Sequence, residues 1–263
     1  MEPLAWQLQM FKKSLKKKIK LDALKKHLGD LGEGNCLLIT NGDNSGALNF
    51  YLREFGGTWM WADLMQKNIP EMEELLEQPV HHISEIGFDF SSSNFDCVVS
   101  IDVHEHLQDP EPFNKELIRV LKKGGKIVVT TPSNSDGRLI TNLRNRIGMT
   151  KEVYGHVREG YNIEELNSMF RELGLMPCGA SEYSNFFTEF LELILNAVYV
   201  KGISRNQRNI ESIAPTTKKQ LKSVSKFYKI YSFLYPVLWI ISKLDRLLFF
   251  ERGYAVIVEV QKT

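Results

Sequence analysis

The chain opens with Leu4, Leu8, Phe11, Leu15 and Ile19 at three- and four-residue steps, and lysines fill the positions between them. That spacing predicts an amphipathic basic helix within residues 1–30. From Cys36 the pattern changes. Short apolar runs at 36–40, 58–61, 95–101 and 126–131 alternate with helix-like segments at 47–55, 67–76 and 111–121. The last helix is opened by Asp109-Pro110 and closed by Gly124-Gly125, the expected punctuation at its two ends. A further helix over 163–173, a strand near 175–180 and a closing strand over 254–260 complete the series. Strand–helix alternation implies an α/β fold with a doubly wound, mostly parallel sheet and helices on both faces. Residues 31–183 and 251–263 are read as that core. Between its last two strands, residues 184–250 read as an apolar helical insertion: two aromatic-rich stretches, 186–200 and 227–250, joined by the polar linker 201–219.

Composition narrows the classes. The chain has 263 residues, 43 % of them apolar, and a formal net charge of +1. That balance argues against a nucleic-acid partner, because no basic, aromatic-studded strand face is visible. The three scattered cysteines (Cys36, Cys97, Cys178) fit buried thiols in a reducing compartment better than a disulfide framework. No leader is recognised at the start and the longest uncharged run, 230–242, is short for a membrane span. The expected location is the cytoplasm, with a peripheral membrane position as an open addition.

In a doubly wound sheet, ligands bind beyond the carboxyl ends of the strands, where strand order reverses. The first strand runs into Thr40-Asn41-Gly42-Asp43-Asn44-Ser45-Gly46, and the two glycines permit a tight turn and close approach of a ligand. An ordinary strand-to-helix turn is the equal alternative. Asp63, ending the second strand about twenty residues on, is placed to accept ribose hydroxyls.

The block 95–107 (Phe-Asp-Cys-Val-Val-Ser-Ile-Asp-Val-His-Glu-His-Leu) is followed by Asp109-Pro110, by Arg119-Val120-Leu121-Lys122-Lys123-Gly124-Gly125 and by Thr130-Thr131-Pro132-Ser133-Asn134. Together these resemble the class I S-adenosylmethionine-dependent methyltransferases, and within them the quinone-biosynthesis-like branch. Downstream, Gly155-His156-Val157-Arg158, Tyr161, Glu164-Glu165-Leu166 and Gly174-Leu175 are also similar to it. The resemblance implies a seven-stranded Rossmann-like sheet and S-adenosylmethionine as cofactor. It places Thr40, Gly42, Asp43, Asn44 and Gly46 in the cofactor turn, Asp63 and Leu64 at the ribose, Ser84 or Glu85 at the adenine amino group, and Asp102 and Val103 beside the sulfonium. Two positions depart from the family's pattern: Thr40 stands where an acid is usual, and Asn44 replaces the middle glycine.

A hydroxyl acceptor needs a base, and histidine suits neutral pH. His156 lies in the loop where the resemblance implies acceptor entry and is the preferred base; a loop histidine that only caps the next helix is the rival reading. His106, of the Glu105-His106 pair, is a second candidate, with a structural tie between helix and sheet as its better reading. His81-His82 have no carboxylate or cysteine cluster beside them in sequence, so no metal is expected. The aromatics of the insertion exceed what a small soluble acceptor needs. They point to a hydrophobic or lipid-linked acceptor, with an anionic membrane surface, a homodimer through the insertion, or the core of a cap as competing uses. Methyl transfer to a hydroxyl is therefore expected; a degenerate scaffold subunit that has lost its cofactor is the alternative.

Overall fold

The structure is a computed structural model that describes residues 5–42, 44–204, 218–223, 225–248 and 252–263. Two helices lead, α1 (Trp6–Lys12) and α2 (Leu15–Leu28). Then follow β1 (Asn35–Thr40), α3 (Ala47–Leu52), β2 (Thr58–Asp63), α4 (Ile69–Leu76), β3 (Val80–His82), β4 (Phe95–Ile101), α5 (Pro110–Val120) and β5 (Leu121–Pro132). The chain continues through α6 (Leu139–Arg146), α7 (Ile163–Glu172), β6 (Leu175–Tyr183), α8 (Phe186–Ser204), α9 (Lys218–Ser223), α10 (Ser225–Ser242) and β7 (Ala255–Lys262).

The seven strands form one sheet in the order β3-β2-β1-β4-β5-β7-β6. All pairings are parallel except those of β7, which runs antiparallel to both β5 and β6. The expected Rossmann-like architecture is therefore present, mostly parallel with one antiparallel hairpin. Its central strands are apolar on both faces because each face is covered. Cys36, Leu38, Trp61, Val99 and Ile257 pack against α1–α4, while Leu37, Ile39, Val98, Val129 and Val258 pack against α5 and α7.

The N-terminal segment differs from the single helix expected. It breaks after Lys12, and the Ser14 side chain accepts from the Lys17 N–H to start α2 afresh. Leu8 and Phe11 are buried in the sheet's core and Leu15 is buried too, none of them offered to solvent. The apolar stripe is consumed by packing, so the lysines on this segment fringe a docked helix pair. Gly124 and Gly125 also fall inside β5, since the chain turns straight from Val120 into strand.

The insertion is helical within its described residues, and α8 packs against α10. Asp245 fixes their relation by accepting from the Phe187 and Thr188 N–H groups at 2.7 and 3.2 Å, which caps the start of α8. On its inner side α8 contributes Leu193 to a cluster with Ile140, Met149 and Tyr254. Tyr231 of α10 donates to the Lys13 carbonyl, so the insertion is also tied to the N-terminal helices. Among the described residues, no helix is long and apolar enough to cross a membrane.

Candidate active site

Strand order reverses between β1 and β4, and the expected site residues gather at the carboxyl ends of β1, β2, β4 and β5. Gly42 (φ +74°) and Gly46 (φ +86°) both take the left-handed conformation that favours glycine. A Cβ on Gly42 would also strike the Met65 side chain at 2.7 Å. Asn44 meets the loss of the middle glycine with its own side chain. Its Oδ1 accepts from the Gly46 N–H at 3.0 Å, and its Nδ2 donates to Asn49 Oδ1 at 2.5 Å. Asn68 Nδ2 donates to the Gly42 carbonyl. Asp43 lies outside the described residues.

Asp63 is fully buried at the end of β2. Its carboxylate accepts from the Thr40 hydroxyl at 2.6 Å, the Gly42 N–H at 3.0 Å and the Met65 N–H at 2.7 Å. Thr40, the departure noted above, is thus a donor to the neighbouring strand's acid. An acid at position 40 would bring a second carboxylate against the first. Leu64 is placed by its N–H donating to the Thr40 carbonyl. Ser84 and Glu85 sit exposed in the loop after β3, close in sequence to exposed Ile86 and buried Phe88.

Asp102, just past β4, is one of four non-glycine residues with positive φ (+51°) among the described residues, and Val103 beside it is fully buried. Such a conformation costs energy in a non-glycine residue, less for aspartate than for most. Asp102 forms an ion pair with Lys20 of α2, and both side chains are largely buried. The sequence reading missed Lys20, which was one lysine in a basic stretch. The available signal was its position: 20, 24 and 28 form a single helical stripe, and Leu24 and Leu28 are core.

The two histidines come together. His106 and His156, fifty residues apart in sequence, stack edge to face with ring centroids 4.7 Å apart. His106 Nδ1–H donates to the Gly155 carbonyl at 2.9 Å; a carbonyl can only accept, so the Nε2 lone pair is directed elsewhere. Burial, then the neighbouring His106, lowers the pKa of His156 to about 3, which keeps it neutral at physiological pH. Glu105 is fully buried and accepts from the Thr131 hydroxyl at 2.9 Å. Burial, and then the charge of Asp102, pushes its carboxyl well above the ordinary range. His104, next to this pair, is a core histidine: Nε2 meets Asn114 Oδ1 at 2.9 Å, and burial depresses its pKa to about 4. The insertion reaches this end of the site through Tyr154, whose ring lies 5.5 Å from that of His156 and which packs against the α8 cluster.

The buried acid at β2, the paired glycines and the strained Asp102 suit a nucleoside-bearing cofactor laid across the strand ends. The side chains of Asn44, Met65 and Asn68 are folded onto the same turn and would shape its approach.

Comparison with known proteins agrees with this geometry. Residues 41–129 match the family described as "Methyltransferase domain". No curated protein matches the sequence. Among solved structures, an S-adenosylmethionine-dependent methyltransferase of Thermotoga maritima is 15 % identical with a TM-score of 0.58, over 97 % of this chain and 94 % of that one. Phosphoethanolamine N-methyltransferase 2 of Haemonchus contortus, in complex with S-adenosyl-L-methionine, is 19 % identical with a TM-score of 0.56, over 92 % of this chain and 52 % of that one. At such identities the structural likeness speaks for the fold. Residues 41–129 thus resemble a methyltransferase domain, and the sheet around them has the fold of S-adenosylmethionine-dependent methyltransferases.

Proposed function

We propose that this protein transfers the methyl group of S-adenosylmethionine to a hydroxyl of a hydrophobic, lipid-borne acceptor taken from an anionic membrane surface. The observation that carries the acceptor class is the outward face of α10. Ile230, Phe233, Leu234, Val237, Ile240 and, two residues beyond the helix, Leu244 are all exposed, Phe233 to 84 %. Their spacing of three and four residues makes one continuous apolar stripe. Lys226, Lys229 and Arg246 are exposed on the same segment, and Lys243 lies over the Trp239 ring at 4.5 Å. An apolar stripe fringed by cations is the composition of a helix lying in a membrane interface. The opposite side of the insertion approaches His156 through Tyr154, which gives such an acceptor a short route from lipid to site.

The cofactor supplies a methyl on a sulfonium, and the chain's part is to align, to exclude water and to handle the acceptor's proton. In this reading the Gly42–Gly46 turn receives the amino-acid end and Asp63 the ribose, held ready by Thr40 and two backbone N–H groups. Asp102 and the buried strand ends flank the reacting centre. His156, neutral and beside His106, accepts the hydroxyl proton. Sedimentation with vesicles tests the acceptor class. Binding to vesicles containing anionic lipid, weakened by salt yet not abolished, is expected; an intact protein left in the supernatant at low salt would refute it.

A scaffold role without catalysis draws on the turn itself, where Asn44, Asn68 and Thr40 satisfy polar groups that a cofactor would engage. Calorimetric titration with S-adenosylmethionine separates the two, since the scaffold reading requires no binding.

A further inference from the structure

We propose that Glu105, His106 and His156 form a binding site for one divalent transition-metal ion of the zinc class. The carboxylate and the two imidazoles each bring a ligand-capable atom into one cluster, all within 4.8 Å of one another, and this is the single such group among the described residues. Bonds of about 2.1 Å to nitrogen and oxygen require ligand atoms roughly 3–3.5 Å apart, so closure on an ion is a matter of small side-chain rotations.

The surroundings are those of an organised site. The Gly155 carbonyl takes the Nδ1 proton of His106 and so fixes the tautomer that leaves Nε2 as donor, the arrangement metal-bound histidines commonly have. The Thr131 hydroxyl holds one oxygen of Glu105. The Val157 N–H donates to the Glu105 carbonyl at 2.9 Å, which ties the His156 loop to the segment after β4 and brings the ligands together across fifty residues. Arg144 is paired with Glu159 and Lys16 with Glu189, so both of these cations are matched by carboxylates. Glu105 is fully buried, and a dication bound there would offset the cost of burying its charge.

Two imidazoles and one carboxylate with open positions select zinc, manganese, iron(II) or cobalt(II) over magnesium or calcium, which prefer all-oxygen shells. The open positions suit water or an acceptor's oxygen, whose acidity coordination raises. Only this last consequence rests on the hydroxyl-acceptor reading. Ligation and proton abstraction use the same imidazole lone pairs, so His156 is a ligand or a base and not both at once.

The test is metal binding by chelator-stripped full-length protein, followed by zinc calorimetry and by the visible d–d absorption of added cobalt(II). One ion per chain is expected. His106→Ala and His156→Gln should each weaken binding by about 10- to 100-fold, with melting curves confirming that both variants fold. The double variant His81→Ala/His82→Ala should bind as the parent does. No stoichiometric binding, or loss only in the His81/His82 variant, overturns the site, as does equal binding in both ligand variants. A titration with S-adenosylmethionine on the same stripped protein keeps this result separate from the methyltransferase reading, because either can fail alone.

Discussion

The strand-end site and the outer face of α10 break the rules of burial in opposite directions. At the strand ends, charged and polar groups are buried: Asp63, Glu105 and His104 at 1 % exposure or less, with the side chains of Lys20 and Asp102 largely buried. On α10, large apolar side chains stand in solvent with no described neighbour covering the stripe. Burying an acid is expensive unless donors meet it, and Asp63 is met by three. Exposing a contiguous apolar stripe is equally anomalous in a soluble monomer. In the proposed function each is a surface kept for another molecule, one for a polar ligand and one for an apolar environment.

The comparison is most open to attack at His156. If the polar end of the site does chemistry, His156→Ala should lower turnover about 10²- to 10⁴-fold with S-adenosylmethionine affinity unchanged. A fall in affinity with no loss in turnover at saturation would make it a binding residue. Next in size is Asp63→Ala, expected to weaken cofactor binding by about 1.5–3 kcal/mol, a lost charge-assisted hydrogen bond. It also leaves the Gly42 and Met65 N–H groups without their acceptor, so melting should fall too. Unchanged cofactor affinity in a folded variant would remove Asp63 from the site.

On the apolar side, Phe233→Ser should cost about 2 kcal/mol of vesicle binding that salt does not restore, while stability shifts by no more than about 0.5 kcal/mol. A large loss of stability instead would mean that the stripe is packed, and a shift from dimer to monomer in sedimentation would identify a second copy as its occupant.

The buried histidines predict a pH effect. His104 and His156 have folded pKa values of about 4 and 3, below the ordinary 6.5, so the unfolded chain takes up protons first as pH falls. Stability should be fully present above pH 6.5 and decline from there toward pH 4 and below, by about 1.4 kcal/mol per pH unit for each histidine. Urea unfolding of the parent and of His156→Gln across that range measures it, with a shallower slope expected in the variant. The smallest effect concerns Lys20. Lys20→Met removes a cation that competes with a sulfonium for Asp102, and cofactor binding should tighten by about 1 kcal/mol. Weaker binding would show that Lys20 itself contacts the cofactor.

Much of this was legible in the chain, and the reason is locality. Strand–helix alternation, the Asp109-Pro110 helix start and the 95–134 block are local patterns, and they are enough to specify a doubly wound sheet. The carboxyl ends of β1, β2 and β4 follow from that topology, so the positions of Gly42, Gly46, Asp63 and Asp102 at or just beyond those ends were legible in the chain. The place of β7 between β5 and β6, antiparallel to both, is not written in any one segment.

What only the tertiary structure decided are the pairings between distant segments. The same periodicity in residues 4–19 serves a membrane helix or a core helix equally well; Leu8 and Phe11 pack against the sheet because it leaves that face uncovered. Conversely, α10 keeps its stripe outward because α8 and the N-terminal helices already occupy its other side. Lys20 meets Asp102 across 82 residues, and His106 meets His156 across fifty. Sequence supplies the chemical groups and their local conformation. Which of them share a few ångströms of buried space is a property of chain topology, since the favourable energy of each pairing exists only once the sheet has brought its members together.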